Sequence, residues 1–479
     1  MTSARLTIAD CETFVREKTF RLRPPEYANR YPKWPGAVGI EVEMLPVRAN
    51  PTDHEKPVVL QGVRETSAAI LSELAGEQGW QIRKTPADNG EELVIGITLD
   101  AGDQITFEPG GQIEFSSIPY PCLSDAIRRT QKIQGLIDEK FRKHGIDIVQ
   151  AGINPWHTLD QLGLQMPKDR YRAMDQYYRT VGEYGVRMMR QTCTTQVNLD
   201  FGPDEQTLAK RYVAAMLLSP IAVATFANSR YVDGKDTGVP CFRSRIWRHA
   251  DPTHTGIPGL LQCVQSMTAE TCVTTFLQYA LDAHVVFVEK AGYKVLSSPM
   301  SFRQWLDQPI DGVWPDLKDW ETHLSLMFTE VRPRGFLELR SIDCQSRVFQ
   351  AVPAYYYAGL IYNDQVLDRV LEYLIPSADS INGLLIEAEF GFQNAKLLQM
   401  SQHVMELACE GFSGLPDCFK EDCSEEVLRA FKTMFTDQGK NPADVICEKM
   451  QGREPPLNTD LLAIEKQWRE DVERFCFGS

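Results

Sequence analysis

Glu330-Val-Arg-Pro-Arg-Gly-Phe-Leu-Glu-Leu-Arg-Ser-Ile-Asp343 is the stretch on which the fold turns. Its second half, Gly335–Ser341, reads as a strand. A strand places residues i and i+2 on one face, so Glu338 and Arg340 point together. The other residues around them, Phe336, Leu337 and Leu339, are apolar. Charges in such a setting are costly to bury unless they are partnered or at work. The device recurs in Val38-Gly-Ile-Glu-Val-Glu-Met44, where Glu41 and Glu43 alternate. It recurs again in Ile105-Thr-Phe-Glu-Pro-Gly-Gly-Gln-Ile-Glu-Phe115, where Glu108 and Glu114 flank a glycine turn. Three acidic strands and one arginine point to a site for magnesium and a nucleotide.

The rest of the chain sets bounds on this reading. Its 479 residues are enough for a large core and, on length alone, for two or three domains. With 43% hydrophobic and 24% charged residues, the composition is that of a soluble globular protein. Fifty basic residues against 65 acidic ones leave a net charge of −15. That argues against a nucleic-acid partner, which needs a basic footprint. The N-terminus, Met1–Asp10, lacks the apolar core of a signal peptide. The longest apolar run, Tyr212–Ala227, is short for a membrane span and is interrupted by Ser219-Pro220. It reads as a buried, kinked helix, so no membrane partner is expected. Twelve cysteines are scattered without CxxC or zinc spacing. They read as reduced thiols of a cytoplasmic protein.

Further strands are read at Pro57–Gln61, Glu92–Leu99, Gln104–Glu108, Gln112–Ser117, Gln191–Asp200 and Val285–Glu289. Helices are read at Asp125–His144, with Ser124 as N-cap, and near Lys168–Val186 and Asp204–Asn228. Asn50–Lys56 reads as a loop. From Val348 the pattern is nearly all helical, at Ala351–Leu374, Ser380–Gly411, Ser424–Thr436 and Thr459–Phe475. No Pro/Gly/Ser-rich linker divides the chain, so residues 1–479 are read as one mixed unit with residues 348–479 mainly helical. Strands and helices do not alternate regularly, which excludes a doubly wound parallel sheet. There is no GxxxxGK[ST] and no GxGxxG opening a helix.

Magnesium takes oxygen ligands in octahedral geometry, from a few carboxylates together with substrate phosphates. Glu41, Glu43, Glu108, Glu114 and Glu338 have that chemistry. Alternating glutamates also occur on solvated strand faces, and a pair of carboxylates also serves glycoside hydrolysis. Five acids beside an arginine fit the second scheme less well. In Gln191–Asp200, the side chains of Thr194, Gln196, Asn198 and Asp200 share a face, which suits either a site or a water-facing edge strand. Arg243 and Arg245, in Cys241-Phe-Arg-Ser-Arg-Ile-Trp247, suit carboxylate or phosphate recognition or surface ion pairs. The eight histidines form no HxH or HxxxH pair, and Cys193 reads as core.

At these residues the chain resembles the plant-type and proteobacterial glutamate–cysteine ligases, carboxylate–amine ligases of glutamine-synthetase-like fold. The phrases that carry the resemblance begin with Gly39-Ile-Glu-Val-Glu43, Ile105–Ser116, Met166-Pro-Lys-Asp-Arg-Tyr171 and Thr192–Asp200. Ala227-Asn-Ser229, Arg243–Trp247, Ser301-Phe-Arg-Gln304, Glu330-Val-Arg332 and Leu337-Glu-Leu-Arg340 follow in family order.

The resemblance implies an α+β fold. Its core is a curved, largely antiparallel sheet forming a funnel, with helices packed outside and a helical C-terminal part. It implies ATP-driven joining of the γ-carboxylate of glutamate to the amine of cysteine through γ-glutamyl phosphate, the first step of glutathione synthesis. Two or three magnesium ions per site are implied, held by Glu41, Glu43, Glu108, Glu114 and Glu338, with Gln196 at a position of metal contact. Arg340 is implied to face the transferring phosphoryl group. Arg243 and Arg245 are implied to meet nucleotide phosphates or glutamate carboxylates, and Arg170, Tyr171 and Asn198 to meet substrate. The chain departs from the family where Gln191 precedes Thr-Cys-Thr, where His254 precedes Thr-Gly, and at Arg245. The alternatives are a ligase of the same fold using another amine or serving ergothioneine synthesis, and a silent relative that binds a nucleotide or amino acid.

Overall fold

In a computed structural model of the chain, describing residues 5–53, 56–62, 64–86, 92–451 and 455–477, the acidic segments become neighbouring strands of one sheet. The first, β1 (Val38–Arg48), buries Val38, Ile40, Val42 and Met44. β2 (Gln81–Pro86), β3 (Glu92–Thr98), β4 (Gln104–Phe107) and β5 (Ile113–Ser116) form a meander. β6 (Ile146–Val149), β7 (Thr195–Leu199), β8 (Val331–Pro333) and β9 (Leu337–Leu339) complete the sheet. Among the described residues the sheet has nine strands, in the order β8-β9-β7-β1-β5-β4-β3-β2, with β6 on the far half of β1. Each pairing is antiparallel.

One face of this sheet is apolar and is covered by helices. The chain-order helices used below are α1 (Ser67–Gln78), α2 (Leu123–Lys143), α3 (Asp169–Val181), α4 (Glu183–Arg190), α5 (Glu205–Thr225) and α6 (Phe242–Ala250). The C-terminal part supplies α7 (Val352–Tyr362), α8 (Asp364–Leu374), α9 (Ala395–Ser413), α10 (Glu425–Met434) and α11 (Asn458–Phe477). α2 packs on β1 and β6, α5 on β8, and α7 on β7. The largest hydrophobic cluster among the described residues runs from Leu6 to Val472, with two smaller clusters beside it.

α5 is the one helix, among the described residues, long and apolar enough to cross a bilayer, and nearly all of it is buried in this core. Asp204 caps it, and Pro220 lies inside it. At the mouth of β7, the Asp200 carboxylate accepts from Ala37 N–H (2.7 Å), Arg23 and Arg211. The Tyr362 hydroxyl accepts from Asp200 N–H (2.9 Å) and donates to the Ala37 carbonyl. A tyrosine at the end of α7 thus clamps the start of β1 to the end of β7.

Several expected boundaries move. Pro57–Gln61 is not a strand. Its backbone is engaged elsewhere: Val59 and Leu60 carbonyls accept from Ser67 and Ala68 at the start of α1, and Leu60 N–H donates to the Gln165 side chain. Val285–Glu289 makes only isolated bridges through His284 and Val288. Regular strand in Gln191–Asp200 is confined to Thr195–Leu199, and in Gly335–Ser341 to Leu337–Leu339. β7 is no water-facing edge: it lies between β9 and β1 with every residue buried.

The reading Lys168–Val186 becomes α3 and α4, parted at Gly182. Ala351–Leu374 breaks at Asn363, whose side chain caps α8, and Ser380–Gly411 breaks before Asn394, which caps α9. The N-cap of α2 is Cys122, not Ser124, which lies inside the helix. In Asn50–Lys56, Pro51–Asp53 form a short 3-10 turn, while His54 and Glu55 lie outside the described residues.

Candidate active site

Antiparallel register puts the polar residues into rows across one sheet face. Arg332 stands opposite Glu338, Glu338 opposite Asn198, and Asn198 opposite Gly39. Two residues along, Gln196 faces Glu41 and Glu41 faces Ser116. Two further along, Glu43 faces Glu114 and Glu114 faces Thr106. The intervening residues, such as Ile40, Val42, Val197 and Phe115, are buried on the helix-covered face. Period-two alternation in six strands therefore sorts this region into an apolar back and a charged front.

Glu108 joins the front from the β4–β5 turn. That turn closes through Gly111 N–H to the Glu108 carbonyl (3.0 Å), with Gly111 at φ +92°. A Cβ on the preceding Gly110 would stand 2.0 Å from the Arg190 carbonyl oxygen, so the turn docks on α4 only as glycine.

The front face opens into a cavity of about 310 Å³. Glu41, Glu43, Glu108 and Glu114 line one side of it, and Arg170, Arg332, Arg334 and Arg340 also reach it. Met174, Met188, Met189, Trp247 and Phe328 supply an apolar wall. Gln196 and Tyr171 line it as well.

Glu338 itself is fully buried behind this lining. Its Oε1 accepts from Arg332 Nη2 (2.9 Å) and Arg334 Nη1 (2.8 Å), and its Oε2 from Arg332 Nε and Arg340 Nη1 (2.8 Å). Burial pushes its carboxyl upward, but the charges of Arg332, Arg340 and Arg334 overcome it and hold the group well below the usual carboxylate range. Arg340 also donates to Gln196 Oε1 (2.9 Å), and its buried Nε has no partner among the described residues.

The other carboxylates have the opposite problem. Burial, then the charges of Glu338 and Glu114, push Glu41 up to about 7. Burial, then Glu108, push Glu114 up to about 7. Burial with Glu108 and Glu114 raises Glu43 well above its ordinary value, and burial raises Glu108. Three of them accept from local donors: Thr194 N–H on Glu43 (2.8 Å), Asn198 Nδ2 on Glu41 (2.8 Å), and Thr106 and Ser116 hydroxyls on Glu114 (2.9 Å each).

Four carboxylates crowded in a low-dielectric cavity lack the counter-charge that would let them ionise together. A divalent cation supplies that charge, and an all-oxygen donor set suits magnesium. Among the described residues no three His, Cys, Asp or Glu side chains already converge as a metal cage. A bound cation would draw its remaining ligands from substrate oxygens and water.

The cations differ in what they have left to give. Arg170 is half-buried, and its Nη2 donates to Ser325 Oγ (2.9 Å). Burial lowers its pKa, and no carboxylate among the described residues pairs with it. By contrast, Arg243 and Arg245, expected at phosphates or carboxylates, are not among the cavity-lining residues. Arg243 is buried with its Nε on Asp343 (2.6 Å) and its Nη2 on the Arg340 carbonyl, and Arg245 donates to Glu389 (2.9 Å). Both guanidiniums already have carboxylate partners, and Arg243 braces the backbone that carries Arg340.

Asn198 is held against Glu41, with its Oδ1 buried and unpartnered among the described residues. Asp200, on the same face of β7, acts in the strand clamp instead. Arg332 and Arg334 were not singled out by sequence reading. The signal lay in Pro333-Arg-Gly335, a turn sequence that folds β8 back on β9 and brings both arginines to Glu338.

Residues 37–476 match the sequence profile of glutamate-cysteine ligase family 2. The chain belongs to that family. Its relatives include a chloroplastic glutamate–cysteine ligase of Solanum lycopersicum, 32% identical over 74% of this chain and 68% of the relative. Chloroplastic glutamate–cysteine ligase A of Oryza sativa subsp. indica is 34% identical over 88% of this chain and 82% of the relative. Among solved structures, a bifunctional glutathione synthetase from Pasteurella multocida superposes with a TM-score of 0.45 at 14% identity, over 95% of this chain and 54% of that one. The matched span of this family member begins one residue before β1 and runs almost to the end of α11. It takes in all nine strands and the cavity.

Proposed function

We propose that this chain is an ATP-dependent glutamate–cysteine ligase that makes γ-glutamylcysteine, the first step of glutathione synthesis. The observation that carries the reading is one cavity where Glu41, Glu43, Glu108 and Glu114 meet Arg170, Arg332, Arg334 and Arg340 on the polar face of one sheet. Family membership supports it. A γ-carboxylate oxygen of glutamate attacks the γ-phosphorus of ATP, and the bond to the bridging oxygen breaks to release ADP. The cysteine nitrogen then attacks the acyl carbon, a C–N bond replaces the C–O bond to phosphate, and phosphate leaves as the nitrogen loses its proton. Such transfer depends mainly on positioning and charge.

Magnesium held by the four lining carboxylates would neutralise the phosphates and let those carboxylates stay ionised. Arg340, with Nε unpartnered, faces the transferring group. Arg170, without an acid partner, takes a substrate carboxylate. Gln196 fixes Arg340, and Asn198 fixes Glu41. Glu338, among the expected magnesium ligands, serves here as the anion that gathers three guanidiniums. The twelve cysteines, all unpaired, support a reducing compartment such as the cytoplasm.

The test is a coupled assay with ATP, magnesium, glutamate and a panel of amines. Stoichiometric ADP, phosphate and γ-glutamylcysteine are expected, with no ADP release when glutamate or cysteine is left out. Ligation of another amine but not cysteine would overturn the acceptor. ATP hydrolysis without any ligated product would overturn the ligase class.

A further inference from the structure

One wall of the cavity is built apart from the main core. Met174, Met188, Met189 and Trp247 belong to a second hydrophobic cluster, on which Phe328 packs. Within that cluster α3 carries Arg170, Met174 and Tyr177 at i, i+4 and i+7, so the three share one helix face. Arg170 and Met174 reach the cavity. Lys168, at the N-cap of α3, makes no side-chain cap. The polar anchor on this face lies two turns on from Arg170, at Tyr177.

Tyr177 is buried, and its hydroxyl donates to Asp251 Oδ2 (2.6 Å). Asp251 is buried too, and it accepts three more hydrogen bonds. His254 Nδ1 donates to Oδ2 (2.8 Å), and the Thr253 N–H (2.9 Å) and hydroxyl (2.8 Å) donate to Oδ1. Burial pushes the Asp251 carboxyl upward, but His254, Tyr177 and the Thr253 N–H outweigh it and hold the group below the usual carboxylate range. The other wall elements meet at the same anion. Asp251 directly follows α6, one turn after Trp247. The His254 carbonyl accepts from Phe328 N–H (2.7 Å), and the Phe328 carbonyl accepts from Trp247 Nε1 (2.9 Å). Arg170, Trp247 and Phe328 are thus all referred to one carboxylate that is not among the cavity-lining residues.

We propose that Asp251 and Tyr177 are positioning residues for substrate binding. They fix the roll of α3 that presents Arg170 to a substrate carboxylate, and the place of the Trp247–Phe328 wall beside it. The proposal rests on the ligase reading above, in which Arg170 takes that carboxylate.

Steady-state kinetics on the full chain test this with Tyr177→Phe, which keeps the ring and removes only the hydroxyl. The KM of the amino acid bound by Arg170 is expected to rise about three- to tenfold, the worth of one hydrogen bond. kcat and the KM for ATP are expected to stay within about twofold, as when uniform binding is lost. In an Arg170→Met background the same substitution is expected to add nothing further to that KM, because two residues acting through one contact are not additive. Asp251→Asn, which removes the charge and one acceptor, is expected to raise the same KM further, with a melting curve to show that it is folded. If it does not fold, Tyr177→Phe in the two backgrounds decides. A purely structural bond would lower the melting temperature alone. An unchanged amino-acid KM in folded Tyr177→Phe, or an equal rise in both backgrounds, therefore overturns the proposal. Wild type that ligates no amine to glutamate overturns the ligase reading and this proposal with it.

Discussion

Replacing Glu338 by glutamine probes the centre of the site. Each carboxylate oxygen accepts two hydrogen bonds, from Arg332 Nη2 and Arg334 at Oε1 and from Arg332 Nε and Arg340 at Oε2. A glutamine has one acceptor oxygen, so two of these four donors must face an NH₂ group whichever way the amide turns. The cheaper orientation aims the NH₂ at Arg334, whose side chain is 45% exposed and can turn to water. Arg332 and Arg340, at 9% and 7% side-chain exposure, cannot, and both lose their counter-charge.

Breaking a buried ion pair from one side costs about 3–5 kcal/mol, a large share of the roughly 5–15 kcal/mol that holds a domain folded. Glu338→Gln should therefore unfold at a clearly lower urea concentration, and its folded fraction should turn over at least about tenfold slower, because Arg340 is no longer aimed. The double variant Glu338→Gln/Arg332→Met should recover stability without recovering turnover, since removing both partners is far cheaper than removing one. Urea melts read by tryptophan fluorescence, beside turnover per folded molecule, separate the two effects. An unchanged midpoint together with unchanged turnover in the single variant would refute the reasoning.

Arg170→Met keeps the stem and removes a guanidinium that has no acid partner. It should raise the KM of one amino-acid substrate about tenfold or more at little cost in stability, and unchanged KM for both amino acids would remove Arg170 from the site. Arg340→Lys loses the planar fork whose Nη1 meets Gln196 and Glu338 and which, in the proposed mechanism, meets a phosphoryl oxygen. A charge-assisted bond of about 1.5–3 kcal/mol corresponds to about a ten- to hundredfold fall in kcat, with the KM for ATP moving less; a normal kcat per folded molecule would contradict this. His323 is held neutral by burial, then by its neighbour His254, with its pKa lowered from 6.5 to about 3. Below pH 6.5 the unfolded chain takes a proton that the folded ring refuses, so stability should fall with pH by about 1.4 kcal/mol per unit until about pH 3. His323→Gln, which can still donate to the Ala280 carbonyl, should lose that part of the slope, and parallel slopes in urea midpoints would disprove it.

The acidic strands were legible because their charges fall on every second residue, and a sheet converts that period into one face. The same rule placed Glu41, Glu43 and Glu114 before their partners were known. What was not legible is where a side chain's charge is spent. Arg243 and Arg340 look alike in sequence, yet Asp343 pairs with the first away from the cavity, while the second lines the cavity beside Glu338. That difference is set by a residue a hundred positions away. Pro57–Gln61 failed for a related reason: its composition suits a strand, but the start of α1 and Gln165 claim its backbone groups. The long helical readings were right in kind and wrong in length, because Asn363 and Asn394 cap new helices where hydrophobic periodicity carries on unbroken.

The clamp at Tyr362 gives the site a schedule. β1 is made early, β7 about 150 residues later and β9 about 140 after that, yet β7 must lie between them. The hydroxyl that ties β1 to β7 is delivered only when α7 has been made and docked. Pairings between such distant segments form slowly, because a long loop must close before any contact rewards it. A chain still emerging from the ribosome can hold its first acidic strands and their hairpin, but it has no arginines opposite them and no fixed spacing between rows. The cavity that joins the acidic strands to Arg332, Arg334 and Arg340 is therefore complete only when the last third of the chain arrives. A half-made copy has no assembled centre with which to consume ATP.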